Sequence, residues 1–123
     1  MSAGAVPAAL PPDESRRQAV LDSYCILDTA PESGFDNITR LARHFFGTRI
    51  ALVSLIDRER QWFKSRVGLE ATETHRDLAF CAHSILDDGV LVVPDATKDP
   101  RFAGNPLVTG APHIRFYAGA PLV

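Results

Sequence analysis

Any chemistry in this chain would have to come from a few side chains. Cys81-Ala82-His83 sets a thiol and an imidazole two residues apart. On a helix that spacing is about 200° of rotation, so the two cannot form a local nucleophile–base pair, although either could face a cavity. The plainer assignment puts Cys81 in the core and His83 at a pocket wall or on the surface. Farther along, Asp95, Asp99 and Arg101 share one polar stretch, with His113 and Arg115 just beyond. These groups could form the polar wall of a small-molecule pocket, which needs apolar walls and a few convergent polar groups. The alternative is that Asp99 caps a turn and Arg101 pairs with a nearby carboxylate, each solvated and contributing little. Phe102, Phe116 and Tyr117 read as core or cavity lining rather than stacking platforms, and Phe80 joins them. The candidate ligand-binding set is therefore Phe80, Cys81, His83, Asp95, Asp99, Arg101, Phe102, Arg115, Phe116 and Tyr117. The sequence has no Gly-rich phosphate loop, nucleophile elbow or HExxH motif, and it points to no catalytic residue or metal and leaves any cofactor unknown.

The stretch that must position these residues is Ile50 to Val67. Its first half, Ile50–Ile56, is an almost unbroken apolar run, which predicts a strand covered on both faces. Asp57-Arg58-Glu59-Arg60 is short and charged and predicts a tight antiparallel hairpin, with Arg60 and Trp62 near enough for a cation–π contact at its tip. The second half alternates, placing Phe63, Ser65 and Val67 on one face and Trp62, Lys64 and Arg66 on a wetter one. A strand buried on both sides needs layers above and below it.

The flanking sequence supplies helices. The Ala/Pro-rich residues 1–12 predict a disordered tail ahead of a domain over 13–123. Asp13 and Glu14 open a helix whose inward face would be Val20, Leu21, Tyr24 and Cys25, with Arg17 and Asp22 outward. Thr29-Ala30-Pro31-Glu32 has the capping-box pattern, and Phe35, Ile38, Leu41, Ala42 and Phe45 recur at helical spacing until Gly47 stops the run. After a connection over Gly68–His75, Leu78, Cys81, Ala82 and Ile85 mark a short helix. Val90–Pro94 reads as a strand at an edge, Asp95–Gly110 as a long polar loop, and Ile114–Leu122 as a fourth strand. This order is α+β, an antiparallel sheet covered by helices.

At 123 residues and a formal net charge of −2, the chain reads as one domain or most of one, and its charge predicts neither a nucleic-acid surface nor a membrane surface. No apolar run approaches the ~20 residues of a membrane span, and the amino terminus lacks a basic signal-peptide start. Cys25 and Cys81 lie far apart with no CxxC spacing, which reads as reduced thiols in a cytoplasmic protein.

Five ordered motifs carry a family resemblance. Ile26-Leu27-Asp28-Thr29 before the Phe35-Asp36 helix, Arg60-Gln61-Trp62-Phe63-Lys64-Ser65, Phe80-Cys81-Ala82-His83, Asp99-Pro100-Arg101-Phe102 and Arg115–Leu122 resemble a bacterial GAF domain. More narrowly, the chain is similar over Glu14–Val123 to the GAF sensor modules found upstream of histidine kinases and diguanylate cyclases. The resemblance implies a five- or six-stranded antiparallel sheet, with helices on one face and a ligand cavity on the other, under the short helix and long loop. Family members continue into a further strand and a closing carboxy-terminal helix, and nothing here corresponds to either. The strands at Ile50–Ile56 and Ile114–Leu122 would then each turn an unpaired edge toward the gap, which implies an incomplete domain from a longer protein, in preference to a gap filled by another chain or a fold relaxed around it.

What the resemblance implies functionally is a non-catalytic sensory module that binds a small molecule of unknown identity, or an identical partner, and passes a shape change to an output domain. Two alternatives stand beside it. One is a thiol redox enzyme using Cys81, although the free-methionine-sulfoxide reductases of this superfamily use clustered cysteines. The other is a degenerate domain acting only in dimerisation through the helix at Glu14–Tyr24. The cyclic-nucleotide motif of some relatives is absent, and bilin-bearing relatives carry a Cys-His pair in a different setting, whereas Cys81 is followed by Ala82.

Overall fold

The computed structural model describes residues 4–122. The chain forms two compact units, one from Asp13–Thr74 and the other from Met1–Pro12 with His75–Val123.

The first unit holds two helices and a hairpin: α1 (Glu14–Ser23), α2 (Ser33–Phe46), β1 (Ala51–Ile56) and β2 (Arg60–Val67). The hairpin closes through the Asp57 amide, which donates to the Arg60 carbonyl at 2.9 Å. A third strand, β3 (Glu73–His75), follows where a plain connection was expected, and the sheet order is β1-β2-β3. That order inverts the expected burial. The central strand is β2, whose residues Gln61 to Ser65 are all buried, while β1 lies at an edge and is only half-buried from Ala51 to Leu55. Strand position decides coverage here more than apolar content does.

The expected alternation along β2 also fails, for a local reason. Val53 pairs with Ser65 and Ser54 with Phe63, leaving Lys64 as an extra residue in a bulge. Because side chains alternate with period two, one extra residue exchanges the faces beyond it. Ser65 then shares a face with Trp62, and Arg66 one with Phe63. Ser65 Oγ lies 2.8 Å from Thr39 Oγ1 and donates to Asp36 Oδ1 at 2.6 Å, tying β2 to α2.

Both helices sit where expected but are rotated about their axes. In α1 the buried residues are Gln18 and Leu21, while Val20, Tyr24 and Cys25 are exposed. Arg17, expected outward, donates through Nη1 to the Ile56 carbonyl at 2.7 Å, and that bond sets the rotation. Asp13 occupies the N-cap position without a side-chain cap bond. In α2, Thr39 is buried and Phe35 and Ala42 half-buried, whereas Ile38, Leu41 and Phe45 are exposed, Phe45 at 76%. The helix ends as expected at Gly47, φ 66°, whose amide donates to the Arg43 carbonyl at 2.9 Å. The capping box does not form. Glu32 makes no cap and instead pairs with Lys64 Nζ at 2.6 Å, and Thr29 Oγ1 accepts from the same ammonium at 2.7 Å.

The second unit contains α3 (Phe80–Ser84), β4 (Leu91–Val93), α4 (Pro106–Thr109) and β5 (Tyr117–Gly119), with 3₁₀ turns at Arg76–Leu78 and Ala96–Lys98. Strands β4 and β5 pair antiparallel, Leu91 with Gly119 and Val93 with Tyr117. The expected fourth strand, Ile114–Leu122, is thus confined to three residues, and it lies in a different sheet from β1. The core is Phe80, Val93, Ala96, Phe102 and Val108, with Leu91, Ile114 and Tyr117 packed against it. Residues 4–12, within the stretch expected to be a disordered tail, form no helix or strand, and residues 1–3 lie outside the described residues.

The architecture is α+β with antiparallel strands.

Candidate functional site

The second unit gathers most of the predicted site residues around one ring. Phe102 is 1% exposed and stacks on Phe80, with centroids 4.1 Å apart and planes 8° from parallel. Tyr117 leans on Phe80 at 5.1 Å, and His83 meets Phe102 edge-on at 4.9 Å. Arg101 lays its guanidinium over Phe102, 5.1 Å from the centroid. Three elements bring these rings together: α3 carries Phe80 and His83, the turn after the second 3₁₀ segment carries Arg101 and Phe102, and β5 carries Tyr117.

Cys81 and His83 diverge, as their helical spacing requires. Cys81 Sγ lies 3.0 Å from Tyr117 Oη, while His83 Nε2–H donates to the Val6 carbonyl at 2.9 Å. Burial, reinforced by Cys81, pushes the Tyr117 phenol well above its ordinary range. A phenol held protonated in this way cannot serve as the base that takes the Cys81 proton. One residue beyond His83, Ser84 Oγ donates to the Gly119 carbonyl at 3.1 Å and fixes α3 against β5.

The polar residues are occupied locally. Asp99 accepts from Arg101 at 2.7 Å, and this guanidinium holds its carboxyl below the usual carboxylate range. Asp95 caps the second 3₁₀ turn by accepting from the Thr97 amide and hydroxyl, the hydroxyl being the main cause of its lowered carboxyl pKa. Arg115 Nη1 donates to the Val108 carbonyl at 2.9 Å. Phe116 is 56% exposed and makes no ring contact in the cluster.

Asn105 is a positioning residue that the sequence reading passed over. It is buried, its Oδ1 accepts from the Leu107 amide at 2.9 Å, and its Nδ2 donates to the Leu78 carbonyl at 3.0 Å. The Asn105-Pro106 pair was the available signal, since Asn is a favoured N-cap and Pro is tolerated in a first helical turn. Among the described residues, no group of three or more His, Cys, Asp or Glu could hold a metal ion, and no helix is long and apolar enough to cross a membrane.

A short helix and a strand thus close over stacked aromatic rings, of which Phe80 and Phe102 belong to the buried core. The GAF domain family model matches residues 30–123, and the chain belongs to that family. It is also similar to cyclic di-GMP phosphodiesterase PA2567 of Pseudomonas aeruginosa, at 49% identity over 112 residues, which are 91% of this chain and 19% of that protein. The chain thus spans about a fifth of the length of the curated relative it matches.

Proposed function

We propose that this chain is a non-catalytic regulatory GAF module that binds a small molecule at the Phe80–Phe102–Tyr117 cluster and signals to an output domain in a longer cytoplasmic protein. The observation carrying this reading is the cluster itself: stacked apolar rings edged by an imidazole, a thiol–phenol pair and an Arg–Asp ion pair. The relative, a cyclic di-GMP phosphodiesterase of which this chain matches a fifth, supports the picture of a module serving an output activity elsewhere. Signalling requires a ligand that binds two states of the Asp95–Gly110 loop with different affinity.

The test is a thermal-shift panel of nucleotides, purines, aromatic amino acids and indoles on the purified chain. A binder present at a hundred times its Kd adds about 2.7 kcal/mol of stability. Tyr117→Phe and His83→Ala should weaken any hit at least fivefold without lowering the melting temperature of the free chain to the same degree. No stabilisation by any compound would remove the ligand reading.

A second reading, dimerisation without ligand, draws on the exposed apolar side chains of the first unit: Val20 on α1 and Tyr24 just after it, and Ile38, Leu41 and Phe45 on α2. Sedimentation at rising concentration separates the two. A dimer abolished by Leu41→Ser with Phe45→Ser, together with an empty ligand panel, favours this second reading.

A further inference from the structure

We propose that the face formed by His83 and the Asp99–Gly104 turn is a docking surface for an extended, uncharged, small-residue peptide, and that residues 4–12 of this chain occupy it as a strap. Two contacts and one burial support the assignment. His83 Nε2–H donates to the Val6 carbonyl at 2.9 Å. The Gly4 and Gly104 backbones approach so closely that a Cβ on Gly104 would lie 2.6 Å from the Gly4 carbonyl oxygen, and a Cβ on Gly4 would collide with the Gly104 carbonyl. Pro11 is buried.

The strap's composition suits the seat. Gly4-Ala5-Val6-Pro7-Ala8-Ala9-Leu10-Pro11-Pro12 carries no charge and few bulky groups. Small side chains allow backbone-to-backbone approach, and prolines favour an extended form, which lowers the entropy lost on docking. Residues 4–12 form no helix or strand of their own, so the seat is what orders them.

His83 touches both the strap and Phe102. A ligand at the aromatic cluster would therefore compete with the strap for this imidazole. That consequence rests on the function proposed above; the docking itself does not.

The test uses backbone ¹⁵N relaxation on the full chain. With the strap docked, the amides of Ala5, Val6 and Ala8 to Leu10 should show order parameters approaching the ~0.85 of rigid backbone, falling below ~0.6 in Gly104→Ala, Gly4→Ala and His83→Ala. Residues of α3 and β5 should keep their values in all three variants. Because the Gly4–Gly104 contact is reciprocal, Gly4→Ala and Gly104→Ala should act alike, and Gly4→Ala leaves the core untouched should another variant fail to fold. Order parameters below ~0.6 in the unaltered chain, or unchanged in both glycine variants, would overturn the proposal. An empty ligand panel beside a rigid strap would count against the ligand reading alone.

Discussion

Lys64 shows how far a single residue can depart from its place in a pattern. In the sequence it belongs to the wetter face of an alternating strand, yet its side chain is fully buried and meets Thr29 Oγ1, the Ala30 carbonyl at 2.6 Å and the Glu32 carboxylate. It also lies 5.7 Å from the Phe35 ring centre. Replacing it with methionine keeps the volume but removes the ammonium that bonds all three acceptors. Lys64→Met should therefore cost about 1–3 kcal/mol, read as a lowered urea midpoint at unchanged m-value. The bulge that turns Lys64 inward depends on cross-strand register, which residue types alone do not encode. The aromatic site residues were more legible. Phe80, Phe102 and Tyr117 were expected as core or cavity lining, and the structure packs them together, Phe80 and Phe102 in the core and Tyr117 against it. Arg115 and Asp95 carry charges that suggest a pocket wall, but backbone groups within a few residues already satisfy them.

Elements were legible as segments more than as surfaces. The stop at Gly47 follows from local chemistry, because a left-handed φ ends a helix most easily at glycine. A Cβ there would meet nothing within 4 Å, so Gly47→Ala should cost only the conformational penalty, about 1 kcal/mol, measurable by chemical denaturation. Which way α2 faces was not legible. Its most regular apolar stripe, through Ile38, Leu41 and Phe45, is exposed, while Thr39 turns to the sheet because Ser65 offers it a hydrogen bond. Periodicity reveals an amphipathic helix without saying what each face will meet. The strand at Glu73–His75 escaped notice because three residues are too few to display a period.

Across the whole molecule, a recurring electrostatic device sets the response to acid. Asp22 and Asp28 have carboxyls lowered by their hydrogen bonds to Arg58 and Arg60, and Asp99 by its bond to Arg101. A carboxylate whose folded pKa is depressed adds stability that is present above its unfolded value of about 3.9 and is lost as the pH falls through the folded one. Denaturant midpoints should stay level from about pH 7 to 5 and drop below about pH 4. Asp99→Asn should make that drop shallower, and Asp22 and Asp28, being exposed, should contribute less.

The division of the chain also bears on synthesis. Residues 4–12 belong with His75–Val123, whereas Asp13–Thr74 form the other unit. A ribosome therefore releases the strap before its seat. At ~5–20 residues per second, the interval is on the order of several seconds, during which the middle unit can collapse on its own contacts while the Ala/Pro stretch has nowhere to settle.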